Sequence, residues 1–169
     1  MGKEVMPFTA HQSVNPLRVS AGHHQWRMTG FILLGVYGLC VALMVFWPVH
    51  IDANQSGEWT KVFLSSGHRQ GWLPLWFTYK TLEWVSNVVM FMPGGFLLTL
   101  LMRGTSRRWV PLIALAGTTI IESVQRIMPG RTSSVWDIFA NTLGGSLGWL
   151  SALAFLAVLY RYLRQRKEI

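Results

Sequence analysis

The chain has 169 residues, 51% of them hydrophobic and 13% charged, with a formal net charge of +8 and a mean hydropathy of +0.32. The apolar residues are bunched into long uncharged runs rather than spread at amphipathic spacing, which excludes an ordinary water-soluble fold and points to lipid. The cations stand between those runs, as membrane topology signals do, so nucleic acid is not an expected partner.

The first 27 residues are polar and hold no apolar h-region, so no cleavable signal peptide is expected. Met6 stands where a myristoylation motif needs Ser or Thr. A first span is predicted over 28–47, uncharged from Met28 to Trp47 and stopped by Pro48. Cys40 lies inside it and reads as a small buried hydrophobe; as the single cysteine it excludes a disulfide framework and a thiolate metal cluster. The connection 48–81 is long and mixed in charge, and its Trp59, Trp72, Trp76 and Phe77 suggest a segment lying on the membrane interface. Ser65-Ser66-Gly67-His68 is similar to the phosphate-binding segment of lipid phosphatases, but no companion Lys/Arg-Pro motif or downstream His-Asp pair accompanies it.

A second span is predicted over 82–102, with Glu83 at its start and Pro93-Gly94-Gly95 inside. That triplet should loosen the helix and leave backbone groups for neighbouring helices or a cavity to satisfy. The third span, 109–127, turns polar in its last turns, and the fourth, 134–160, carries Gly144 and Gly148 in a small-x-x-x-small pattern with Gly145 beside it. Pro93, Gly95, Gly144, Gly145 and Gly148 therefore read as packing residues. A basic tail, 161–169, follows. The expected fold class is an all-α integral membrane protein, a four-transmembrane-helix bundle.

Orientation follows from the short flanks. Lys3, Arg18, Arg27, Arg103, Arg107, Arg108, Arg161, Arg164, Arg166 and Lys167 fall on one side; Lys61, Arg69, Lys80, Arg126 and Arg131 fall on the other. Ten against five predicts both termini (1–27 and 161–169) in the cytoplasm and the 48–81 loop outside. Glu83 and Asn87 then lie at the outer end of the second span, and Glu122, Gln125 and Arg126 at that of the third. Asp137 and Asn141 lie in the first turns of the fourth, after a tight Pro129-Gly130-Arg131 turn. Glu83 with Asn87 and Asp137 with Asn141 are i, i+4 pairs, and Glu122 shares a face with Gln125 and Arg126. Three helices can thus aim carboxylates, amides and a guanidinium into one external pocket.

Ionisable groups at membrane depth are costly and point to a function with a named partner. Glu122 or Asp137 is expected to pair with Arg126 or Arg131. Plainer roles exist for each residue alone: Asp137 suits a helix N-terminus, and Asn87 and Asn141 suit interhelical hydrogen bonds. His11, His23, His24, His50 and His68 lie outside the spans without supporting carboxylates, so no metal is expected. The absence of a nucleotide-binding glycine loop leaves no cofactor expected either.

At these residues the chain resembles the VanZ-like family of bacterial membrane proteins. The family pattern of Asn, three residues, Phe, then Pro and Gly is met by Asn87 to Phe91 and Pro93-Gly94-Gly95. Its Glu-x-x-Gln is met by Glu122-Ser123-Val124-Gln125, and its Gly-Arg turn with Asp, three residues and Asn-Thr-x-Gly by Gly130-Arg131, Asp137 and Asn141-Thr142-Leu143-Gly144. The chain departs at Gly94, where the family often has a large apolar residue, and at Ser134, where many members carry a further Asp. The resemblance implies a multi-pass protein of the bacterial cytoplasmic membrane, linked in founding members to resistance to teicoplanin, a lipidated glycopeptide antibiotic.

Three functions are open at this point. The first is an outward-facing pocket, formed by Asn87, Glu122, Gln125, Arg126, Arg131, Asp137 and Asn141, for an amphipathic envelope ligand. That ligand would be a lipid-linked cell-wall intermediate, a phospholipid headgroup or a lipoglycopeptide, with membrane lipids as the partners. The second is an enzyme acting on an outer-leaflet lipid, with Glu122 or Asp137 as acid or base; the third is a small scaffold whose polar cluster is structural. Reporter fusions at either terminus are expected on the cytoplasmic side; external labelling of both termini would turn the polar cluster to face the cytoplasm.

Overall fold

The computed structural model describes residues 16–46, 55–129 and 134–166. Lys3, His11, Trp47, His50, Gly130, Arg131 and Lys167, singled out above, lie outside the described residues. Those described form α1 (Pro16–Val45), α2 (Gln55–Arg69), α3 (Tyr79–Leu101), a 3-10 helix (Gly104–Trp109), α4 (Val110–Ile127) and α5 (Val135–Gln165), with no strand among them. Four segments are long and apolar enough to cross a membrane: Gln25–Val45, Tyr79–Leu101, Gly104–Ile127 and Val135–Gln165. The 31 residues of α5 rise about 47 Å at ~1.5 Å per residue, more than the ~30 Å hydrocarbon layer requires. Its basic end therefore projects beyond the apolar layer or the helix tilts within it.

α1 starts at Pro16, well before the apolar run at Met28. Proline suits the first turn of a helix, and no further proline or paired glycine follows before Arg27, so the helix carries on through polar residues. The long connection holds α2, with Glu58 in its first turn and His68 and Arg69 in its last, charges that match the helix dipole. Gly71, at φ +76°, supplies the left-handed residue that ends this segment. The Ser-Ser-Gly-His stretch is part of the helix. Ser65 and Ser66 donate to the carbonyls of Val62 and Phe63, and His68 Nε2 lies 3.1 Å from the carbonyl oxygens of both Pro74 and Phe77. His68 thus fastens α2 to the turn that leads into α3.

The core is the parallel pair α3 and α5, with α4 packed against them. Here the glycines act through absence. A Cβ on Gly144 would fall on the carbonyl oxygen of Val88, one on Gly148 on that of Met92, and one on Gly95 on that of Gly145. The two backbones touch over two successive turns, which close-packed transmembrane helices achieve with small residues. Ala140 and Ala152 continue the same seam and are fully buried. α3 is helical straight through Pro93. In that turn the Tyr37 hydroxyl donates to the Met90 carbonyl, and a Cβ on Gly94 would meet the Tyr37 ring. The aromatic ring of α1 therefore occupies the space beside Gly94.

At the other end of α3, Arg107 Nε donates to the carbonyls of Thr99 at 3.2 Å and Met102 at 3.0 Å, satisfying acceptors that a helix terminus leaves open. α1 packs more lightly, and most of its side chains from Gln25 to Phe46 are exposed or half-buried. Cys40 corrects an expectation: it is exposed, because α1 turns only one narrow face to α3.

Gly148→Val should destabilise the bundle by about 1–3 kcal/mol, the ordinary range for overpacking. Gly117→Ala, with nothing within 4 Å of the added carbon, should leave stability nearly unchanged. Unfolding titrations in mixed micelles compare the two.

Candidate functional site

The ends of α3, α4 and α5 opposite the Arg107 clasp, with Met44 and Val45 of α1, enclose a cavity of about 1030 Å³. α3 contributes Glu83 and Asn87 one helical turn apart, α4 contributes Glu122 and Gln125, and α5 contributes Asp137 and Asn141. The i, i+4 spacing of the first and last pairs, and the i, i+3 spacing of Glu122 and Gln125, place each pair on one face of its helix.

Four hydrogen bonds tie polar groups of the wall to neighbours on other elements. Asn87 Nδ2 donates to Asp137 Oδ1 at 3.0 Å, joining α3 to α5. Glu122, 4% exposed, accepts through Oε2 from the backbone N–H of Ser134 at 2.9 Å. Ser134 in turn caps α5, its hydroxyl accepting from the Trp136 N–H at 3.2 Å. The Glu122 carboxylate therefore faces the positive end of α5 as well as a specific donor. Gln125 Nε2 donates to the Val45 carbonyl at 3.0 Å, tying the end of α1 to α4.

Asn141 is the deepest member, 4% exposed. Its Nδ2 donates to Thr118 Oγ1 at 2.9 Å. Its Oδ1 is buried without a protein partner, and it belongs to a side chain that lines the cavity. A buried acceptor left unpaired costs about 1–3 kcal/mol, so the position favours an additional donor.

Asn87, Glu122, Gln125, Asp137 and Asn141 are thus brought together in one wall. Arg126 is exposed in the last turn of α4 and is not part of that wall, while Arg131 lies outside the described residues. Gly95, Gly144, Gly145 and Gly148 sit on the helix seam, away from the chamber; Pro93, expected to pack there, is instead exposed on the outer face of α3. Among the described residues no group of three or more His, Cys, Asp or Glu is placed to hold a metal ion. Thr118, Ser134 and Lys80 also belong to the site or its support, and hydropathy alone does not single them out. Thr118 stands one helical turn before Glu122, which is the one signal that could have found it.

The family model described as VanZ/LLP1 matches residues 34–158. That span includes every described residue of the cavity wall and the α3–α5 seam. No curated protein and no solved structure matches the chain.

A double-mutant cycle of Asn87→Ala and Asp137→Ala should return a coupling of about 0.6–1.7 kcal/mol, the range of interhelical hydrogen bonds in membranes. A coupling near zero, read by unfolding titration, would show that the bond does not join the helices.

Proposed function

The chain belongs to the VanZ-like (VanZ/LLP1) family and is a multi-pass membrane protein, and we propose that its polar cavity faces outward from the bacterial cytoplasmic membrane and binds the polar part of an amphipathic envelope ligand. The observation that carries this reading is the buried, unpartnered Asn141 Oδ1 in a chamber also walled by Asp137 and Glu122. Those acceptors suit hydroxyl, amide or amine donors, which a lipid-linked wall intermediate, a phospholipid headgroup and a lipoglycopeptide all present. With Arg126 exposed and off the wall, the guanidinium assigned to an anionic group of the same ligand is that of Arg131, four positions before Val135 in the sequence.

The outward orientation rests on the ten-to-five division of Lys and Arg given above. Resistance to a teicoplanin-type antibiotic is then one instance of ligand capture at the outer leaflet rather than a separate activity. The exposed Trp59, Trp72 and Trp76 (75%, 53% and 70% exposed) hold α2 and its following turn at the outer interface, beside the mouth of the cavity.

Binding titrations on purified protein in lipid nanodiscs, with teicoplanin, phosphatidylglycerol and a polyprenyl phosphate as probes, test the reading. Asp137→Asn and Asn141→Ala should each weaken at least one probe about tenfold, equivalent to ~1.4 kcal/mol and close to one hydrogen bond to a charged group. If every probe binds the folded variants as it binds the wild type, the cavity is not the site.

A further inference from the structure

A second cavity, about 350 Å³, lies between α1, α3 and α4. It is walled by apolar side chains and glycine, among them Val41 and Ala42 of α1, Phe91 and Gly94 of α3, and Ile113 and Ala114 of α4. Val45 and Ile121 belong to the walls of both cavities, so the polar chamber is contiguous with the apolar crevice.

The crevice follows α1 from Leu34 to Val45, about 17 Å at ~1.5 Å per residue. Half of a ~30 Å hydrocarbon core is about 15 Å, so the crevice is one leaflet deep. Its shape is held at two points. Tyr37 donates to the Met90 carbonyl partway along α1, and Gln125 donates to the Val45 carbonyl at its end. Between them Gly38 faces open space, with nothing within 4 Å of where its Cβ would stand. α1 is therefore held beside α3 and α4 by few contacts, with a gap left at Gly38.

We propose that this crevice holds one hydrocarbon tail of the same lipid whose polar part occupies the chamber, an assignment that rests on the function proposed above. The ligand class is then a lipid whose tail joins its headgroup at the level of Val45 and Ile121. The headgroup meets Asn141, Asp137 and Glu122, and the tail descends between α1 and α4 with Gly38 leaving its path open. A tail in this position adds apolar contact without any polar group, so affinity should depend on tail and headgroup separately.

The test uses the full-length protein in phosphatidylcholine nanodiscs and two probes. One is lysophosphatidylglycerol with a photoactivatable diazirine in its single tail; the other is glycerophosphoglycerol, the same headgroup without a tail. The tailed probe should label the crevice face of α1 between Leu34 and Val45. Gly38→Leu should cut that labelling at least tenfold while glycerophosphoglycerol binds unchanged, and Ala42→Phe serves the same purpose should the first variant fold poorly. If labelling falls instead on the outward face of α1, at Ile32, Leu39 and Leu43 (61%, 61% and 54% exposed), and both filled variants keep it while the headgroup still binds, the tail assignment is overturned and the headgroup site stands. If neither probe binds the wild type, the headgroup reading falls and the tail assignment falls with it.

Discussion

Backbone contact between α3 and α5 is the constraint from which the other features follow. With Gly144 against the Val88 carbonyl and Gly148 against that of Met92, the two helices are locked in a parallel register that any side chain would push apart. Lipid tails are as apolar as leucine, so the bundle gains little from burying apolar surface and depends on close packing and interhelical hydrogen bonds instead. The register set by the seam decides which side chains meet beyond it. One residue before Val88 and two turns before Gly144, Asn87 and Asp137 come within 3.0 Å.

The polar chamber is thus a product of the seam rather than an independent pocket. α4 completes it by reading the same register: Ala114 faces Gly145, Thr118 reaches Asn141, and Glu122 reaches the N–H of Ser134, the cap of α5. These contacts climb α4 at intervals of four residues, the spacing that keeps one helix face against its neighbour. Packing dominates at the Arg107 end and hydrogen bonding at the chamber end. Asn141 Oδ1 is one of three buried side-chain atoms without a partner among the described residues, with Thr142 Oγ1 and Trp149 Nε1, and the one whose side chain lines the chamber.

The helices were legible in the sequence because a hydrocarbon layer permits few alternatives to a long uncharged helix. Their polar extensions were not: α1 from Pro16 to Arg27 and all of α2 carry no apolar run for hydropathy to detect. The seam glycines were legible from spacing, but their partners, the carbonyls of Val88, Met92 and Gly145, leave no sequence signature. Asn87, Glu122, Asp137 and Asn141 stood out because polar groups are expensive at depth. Their donors include the Ser134 backbone N–H, and Gln125 reaches a backbone carbonyl on α1; such backbone partners cannot be read from residue type. Cys40 was misread because apolar surroundings in sequence mean burial in water but lipid exposure on a helix with one narrow contact face.

The light packing of α1 has a consequence for biogenesis. α1 leaves the ribosome before any helix it touches, yet Tyr37 and Gln125, two of the groups that hold it, act through Met90 and α4, which are made later. α1 therefore waits in the bilayer without those partners, and the tightest contact, α3 with α5, forms only when α5 arrives. Order of synthesis and strength of packing run in opposite directions. The chamber closes when α5 docks on α3 and α4, with α1 as its side wall.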